Sequence, residues 1–153
     1  MIWEALQIAY NAHHDQLDKG GNAYFLHPVF VALQMDTEEE KITGILHDVI
    51  EDTDVTLEDL KRQGFSENVI AAVDAMTRRE DETYMEFIKR LSVNEIARHV
   101  KIQDIRNNMD LTRIPEPTKK DWDRMEVYMQ ALTYLEEKES LADILTGITE
   151  DAE

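Results

Sequence analysis

The chain has 153 residues, 42% of them hydrophobic, with five Gly and three Pro, which allows one globular domain with a real core and excludes a disordered chain. It contains no cysteine, which removes disulfide scaffolds and thiolate metal sites and fits a reducing compartment. The formal charge of −17 argues against a general nucleic-acid binder, which needs a basic surface; a phosphorylated ligand would instead need a few placed cations or a metal ion.

Most segments place apolar residues three and four apart, so the chain is predicted to be all-α, a single helical bundle of about eight helices. The opening "IWEALQIAYNAHHDQL" puts Ile2, Leu6, Ala9, Tyr10 and His13 on one helical face. A Gly-Gly breaker follows in "DKGGNAYF", and Pro28 suits the first turn of a second helix. A third helix is expected from Thr37 to Asp52, opened by the acidic turn Glu38 to Glu40. "TLEDLKRQG" reads as a short helix, with Thr56 and Asp59 as a capping box and Gly64 closing it. "SENVIAAVDAMTRR", capped by Ser66, is a fifth helix, and "TYMEFIKRL" and "VNEIARHVKIQDIRNNMDLTR" continue the pattern until "IPEP" ends it. "TKKDWDRMEVYMQALTYLEEKE" is a long amphipathic helix, with Trp122, Met125, Met129 and Leu132 as a stripe read as core or as a homo-oligomer contact. Residues 1–138 are expected to form the domain and 139–153 an acidic tail, weakly helical or frayed. No signal peptide and no apolar run of about 18 residues is evident, so a cytoplasmic location without a membrane span is expected.

The stretch "ITGILHDVIEDTDVT" carries the chemistry. His47, Asp48, Glu51 and Asp52 span an arc of about 140° at 100° per residue, opposite Ile42, Ile45, Leu46, Val49 and Ile50. A solvated face would account for that pattern. However, solvated faces usually mix charge signs, whereas Asp48–Glu51 and Asp48–Asp52 are like-charged pairs, and acids late in a helix oppose its dipole. A divalent cation would offset both penalties, and His47 beside Asp48 offers the nitrogen and oxygen donors that Mn, Fe or Zn accept. Partners on other helices are His27, just before Pro28, and Asp104, which shares its face with Lys101 and Asn108. His14 and His99 read as surface histidines, His13 as a residue lining the cleft, and Tyr24 as a buried aromatic.

The order His27, then His47-Asp48, then Asp104 resembles the HD superfamily of metal-dependent phosphohydrolases. "AHHDQLDKGGNAYFLHP", "GILHDVIEDTDVTLEDL", "VDAMTRRE" and "VKIQDIRNNMDL" are similar to the hydrolase domain of the alarmone synthetase/hydrolase family, which cleaves (p)ppGpp, and to its small stand-alone HD relatives. The resemblance implies a single HD domain in which His27, His47, Asp48 and Asp104 coordinate one divalent metal, Mn2+ foremost, with Mg2+, Fe2+, Co2+ or Zn2+ as alternatives. It places the family's catalytic Glu-Asp pair on Glu51 and Asp52 and nucleotide contacts on Lys19 and Asn108, to which Lys101 is added as a candidate for substrate binding. The implied reaction is hydrolysis of a phosphoester or pyrophosphate in a nucleotide, with release of the 3′-pyrophosphate of (p)ppGpp as the leading form. A different nucleotide phosphate and a non-catalytic nucleotide-binding module are the alternatives. At this length no synthetase domain is expected.

Two stretches depart from the family pattern. A basic pair usually precedes the first loop's glycine, where this chain has Asp18-Lys19. The stretch after the last ligand commonly reads Arg-x-His-Asn-Met-Arg-Thr, where this chain has Ile105 to Leu111. Aspartates at 18 and 110 replace arginines, and each lost charge-assisted bond to a phosphate removes about 1.5–3 kcal/mol.

Overall fold

The computed structural model describes the backbone of residues 1–152 and the side chains of residues 1–148. The tail over 139–153, expected to be weakly helical or frayed, has a helical backbone to Ala152, and Glu153 lies outside the described residues. Among the described residues the chain is all-α. It runs through α1 (Ile2–His13), α2 (Leu26–Leu33), α3 (Glu38–Leu46), α4 (Val49–Asp52) and α5 (Leu57–Arg62). Then come α6 (Glu67–Ala75), α7 (Tyr84–Leu91), α8 (Glu95–Asn108), a 3₁₀ turn (Leu111–Arg113) and α9 (Lys119–Ala152). The one strand-like pairing among these residues is an isolated bridge between Leu17 and Ala23, which closes the first loop.

Helix starts follow local chemistry. Thr37, Thr56, Ser66, Thr83 and Asn94 each accept a hydrogen bond from the backbone N–H three residues on, and Thr37–Glu40 and Thr56–Asp59 are complete capping boxes. Gly64, with φ +92°, takes the left-handed position just past the end of α5.

Two apolar clusters share the interior. One joins Val31, Met76, Phe87, Ile105 and Leu135 from α2 and α6 to α9; the other joins Ala9, Leu46, Val49, Leu60 and Val69 from α1 and α3 to α6. α3 threads between them and approaches α2 closely at Gly44, where a Cβ would lie 3.2 Å from the Ala32 Cα.

Three expectations change. The helix predicted over 37–52 is broken at His47-Asp48, with Asp48 at φ −101°, ψ −4°. The His47 ring nitrogen Nδ1 sits 2.6 Å from the Gly44 carbonyl, the acceptor that the Asp48 N–H would use in an uninterrupted helix. Glu51 and Asp52 therefore stand in the first turn of α4, and the dipole penalty argued for a long helix does not apply to them. In α1 the buried residues are Ala5, Ala9 and His13, while Tyr10 is exposed. In α9 the buried apolar positions are Ala131 and Leu135; Trp122 and Met129 of the expected stripe are each 58% exposed. α9 runs unbroken through residue 139.

Candidate metal centre and adjoining cleft

Three helices deliver the polar cluster that the interior would otherwise reject. His27 lies in the first turn of α2, His47 at the break between α3 and α4, and Asp104 in the middle of α8; all three are buried. One donor atom from each lies within 4.8 Å of the others. His27 Nε2 is 2.8 Å from Asp104 Oδ1, and His47 Nε2 is 3.4 Å from the same oxygen and 3.1 Å from Asp48 Oδ2.

The donor set fits a divalent cation. His47 Nδ1 faces a carbonyl, which can only accept, so that nitrogen carries a hydrogen and Nε2 is the one whose lone pair is free once the ring is neutral. His47 Nε2 is buried and makes no hydrogen bond within the protein. Buried polar atoms are normally satisfied, and this one points at two carboxylates across a gap suited to a cation. Burial opposes the charge on His47, but Asp48 and Asp104 outweigh it and raise the imidazole pKa well above the usual value. Asp104 moves the other way: burial opposes its ionisation, yet Lys101 and His47 hold it well below the ordinary carboxylate range.

The neighbours of these donors are equally specific. Tyr24 Oη donates to Asp48 Oδ2, and burial together with the Asp48 charge raises the phenol pKa. Lys101 Nζ sits 2.8 Å from Asp104 Oδ2, and Asn108 Nδ2 donates to Asp104 Oδ1 at 3.1 Å. The structure thus sets Lys101 beneath Asp104, against the rings of Tyr84 and Phe87. Asn107 is buried, and its Oδ1 lies 2.6 Å from His27 Nδ1 and 3.0 Å from Arg113 Nη1.

Glu51 and Asp52 stand at the other side of the cluster, toward solvent. Glu51 Oε1 accepts the Arg78 backbone N–H at 2.6 Å, and Asp52 lies 3.9 Å from the buried His13 ring. Burial and the nearby Asp48 charge raise the pKa of both carboxyls. A cleft of about 330 Å³ opens beside His27, walled by the first loop, the 3₁₀ turn and α9; Lys19 and Asn108 line it, whereas Glu51, Asp52 and Lys101 do not. Lys19 Nζ is 3.4 Å from Asp121 in that wall. A Cβ at Gly20 would come within 2.1 Å of the Arg113 carbonyl oxygen, so only glycine lets the first loop seat on the turn. A larger groove of about 880 Å³ lies between α1 and α5, lined by Trp3, Asn11 and Arg62 among others and by none of the residues above.

The two aspartates that depart from the family pattern turn toward their own loops. Asp18 Oδ1 accepts the Gly20 and Asn22 N–H groups at 2.9 Å each, and Asp110 Oδ1 accepts the Thr112 N–H at 3.0 Å. Sequence reading missed the Tyr24–Asp48 bond, the Asn107 contact and the Arg113 contact. The i, i+3 spacing of Asp104 and Asn107 on α8 was the one local signal for any of them.

The Borreliella burgdorferi guanosine-3′,5′-bis(diphosphate) 3′-pyrophosphohydrolase is 36% identical over 85 residues, covering 52% of this chain and 12% of the relative. A Streptomyces coelicolor GTP pyrophosphokinase is 30% identical over 144 residues, covering 83% of this chain and 17% of the relative. The chain thus spans between 12% and 17% of the length of these two relatives. The solved structure of a metazoan ortholog of SpoT that hydrolyzes ppGpp superposes with a TM-score of 0.72 at 24% identity, covering 88% of this chain and 84% of the other, which shows a common fold. The HD domain profile matches residues 5–112, a span holding His27, His47, Asp48 and Asp104 together, and on that match the chain belongs to the HD domain family.

Proposed function

We propose that the protein is a metal-dependent phosphohydrolase that cleaves a phosphoester or pyrophosphate in a nucleotide, with (p)ppGpp 3′-pyrophosphohydrolase activity as its leading form. The observation that carries the reading is the buried His27–His47–Asp104 cluster, with the unsatisfied Nε2 of His47, at the edge of a cleft containing Lys19 and Asn108. The names of the relatives support the nucleotide substrate.

His27, His47, Asp48 and Asp104 would hold the cation, and Mn2+ suits a mixed nitrogen and oxygen set. A divalent cation there supplies Lewis acidity and acidifies a water molecule that it binds. Glu51, fixed through Oε1 by the Arg78 N–H, leaves Oε2 to accept a proton from the attacking water, and its raised pKa brings it closer to neutral operating conditions. Asp52 offers a second carboxyl from which a proton reaches the leaving oxygen. Lys19 and Asn108 present an ammonium and an amide to the nucleotide from the cleft wall. The P–O bond to the nucleotide's 3′ oxygen breaks as water adds to phosphorus, and pyrophosphate leaves. Lys101 serves this reading by steadying Asp104.

Asp18 and Asp110, both in the cleft lining, favour a second reading in which the nucleotide carries less charge than (p)ppGpp. The test is a turnover assay on the full chain with Mn2+, comparing (p)ppGpp with a panel of nucleoside phosphates and following pyrophosphate release. Parent activity on (p)ppGpp that falls by about a hundredfold or more in Asp48→Ala is expected. Turnover undiminished in Asp48→Ala would refute the metal reading, and faster turnover of another nucleotide would transfer the activity to that substrate.

A further inference from the structure

We infer that Arg113 and Asn107 are positioning residues that fix the ring tautomer of His27, and thereby tie metal affinity to the wall of the substrate cleft. This rests on the reading of His27 as a metal ligand. An imidazole can ligate through Nε2 only when its hydrogen sits on Nδ1, and the group facing Nδ1 decides that. For His47 the decision is trivial, because its partner is a backbone carbonyl. For His27 the partner is the side-chain amide of Asn107, which can present either an oxygen or an NH2 group.

Arg113 removes that ambiguity. A guanidinium has only donors, and its Nη1 lies 3.0 Å from the same Asn107 atom that stands 2.6 Å from His27 Nδ1. That atom must therefore be the amide oxygen. An oxygen already facing a guanidinium accepts a second hydrogen, so His27 donates through Nδ1. Its Nε2 faces the Asp104 carboxylate at 2.8 Å, so a hydrogen held there is the one a cation would displace to reach the lone pair. With the amide reversed, its NH2 group would face both the Arg113 donor and His27 Nδ1, stranding one N–H and leaving the ring hydrogen on Nε2 alone.

The chain holds this relay from both ends. Asn107 is buried on α8, one turn from Asp104, so its amide cannot swing to solvent. Arg113 belongs to the turn on which the first loop seats: its carbonyl is the group that leaves no room for a Cβ at Gly20. Arg113 also lines the cleft, where an anionic substrate group would meet its guanidinium. The residue that orders a metal ligand is thus within reach of the substrate.

The experiment uses the full chain in four forms: parent, Arg113→Met, Asn107→Asp and the double variant. The Mn2+ dissociation constant is measured by calorimetry, and the His27 ring nitrogens are read by 15N NMR without metal. In Arg113→Met we expect Mn2+ affinity to fall about tenfold or more, with His27 rings whose Nδ1 has lost its hydrogen appearing in the spectra. Aspartate at 107 has only acceptors, so Asn107→Asp should keep the Nδ1-protonated ring, and removing Arg113 in that background should cost less than about threefold. The inference is overturned if Arg113→Met keeps both the parent tautomer and an affinity within about twofold. It is also overturned if the loss is as large in the Asn107→Asp background. If Arg113→Met does not fold, parent and Asn107→Asp are compared with Asn107→Leu, and a Leu variant matching the parent in ring tautomer and affinity overturns it. A parent that binds no Mn2+ refutes the metal reading instead, while the metal-free tautomer still decides this inference.

Discussion

Single side chains in this protein are held by their neighbours rather than by their own elements. Asp48 stands at a helix break, and Tyr24 Oη supplies the contact that orients its carboxylate. Tyr24→Phe keeps the ring against His13 and His27 and removes only the hydroxyl. Because groups that orient metal ligands typically govern affinity by about 10–100-fold, Tyr24→Phe is expected to weaken Mn2+ binding by about tenfold. Thermal stability should stay near the parent value. Calorimetric titration with Mn2+ beside a melting curve checks both. Protons compete for the same donors: the raised pKa of the His47 imidazole means that metal entry must displace a proton at neutral pH. Mn2+ affinity is therefore expected to rise with pH across the neutral range.

Between elements, a second ionic cluster joins α3, α8 and α9 away from the cleft. His99, which reads as a surface residue in the sequence, is partly buried and bridges Glu40 at 2.5 Å and Glu139 at 2.8 Å, while Arg98 pairs with Glu139 at 2.6 Å. Glu40 is also the capping-box residue of α3, so the cluster ties that cap to the long C-terminal helix. Burial disfavours the charge on His99, but the two glutamates raise its pKa above the ordinary 6.5. A raised folded-state pKa gives stability that is complete below the unfolded value and fades as pH rises through the folded one. Glu40, held low by His99, and Glu139, held low by Arg98 and His99, lose their contribution at the acid end instead. Urea midpoints measured from about pH 6 to about pH 9 should fall in the parent and stay flatter in His99→Gln. Parallel curves would rule out the bridge.

Over the whole molecule, the net charge of −17 and the buried carboxylates make the fold a poor host to itself and a good host to a cation. Binding to the folded state alone stabilises by mass action, about 2.7 kcal/mol at a hundred times the dissociation constant. Saturating Mn2+ is therefore expected to raise the melting temperature, EDTA to reverse it, and Asp104→Ala to abolish the response. No helix of the described residues is long and apolar enough to cross a membrane. The helical class, the caps at Thr56 and Ser66 and the order His27, His47-Asp48, Asp104 were legible in the sequence, because periodicity, N-cap chemistry and motif spacing are local properties of the chain. The break at His47, the exposure of Trp122 and Met129 on α9, the bridge through His99, and the contacts of Tyr24, Asn107 and Arg113 were not. Each depends on which distant groups meet at hydrogen-bonding distance, and that is decided when Gly44 and Gly20 let backbones close upon one another and the helices pack.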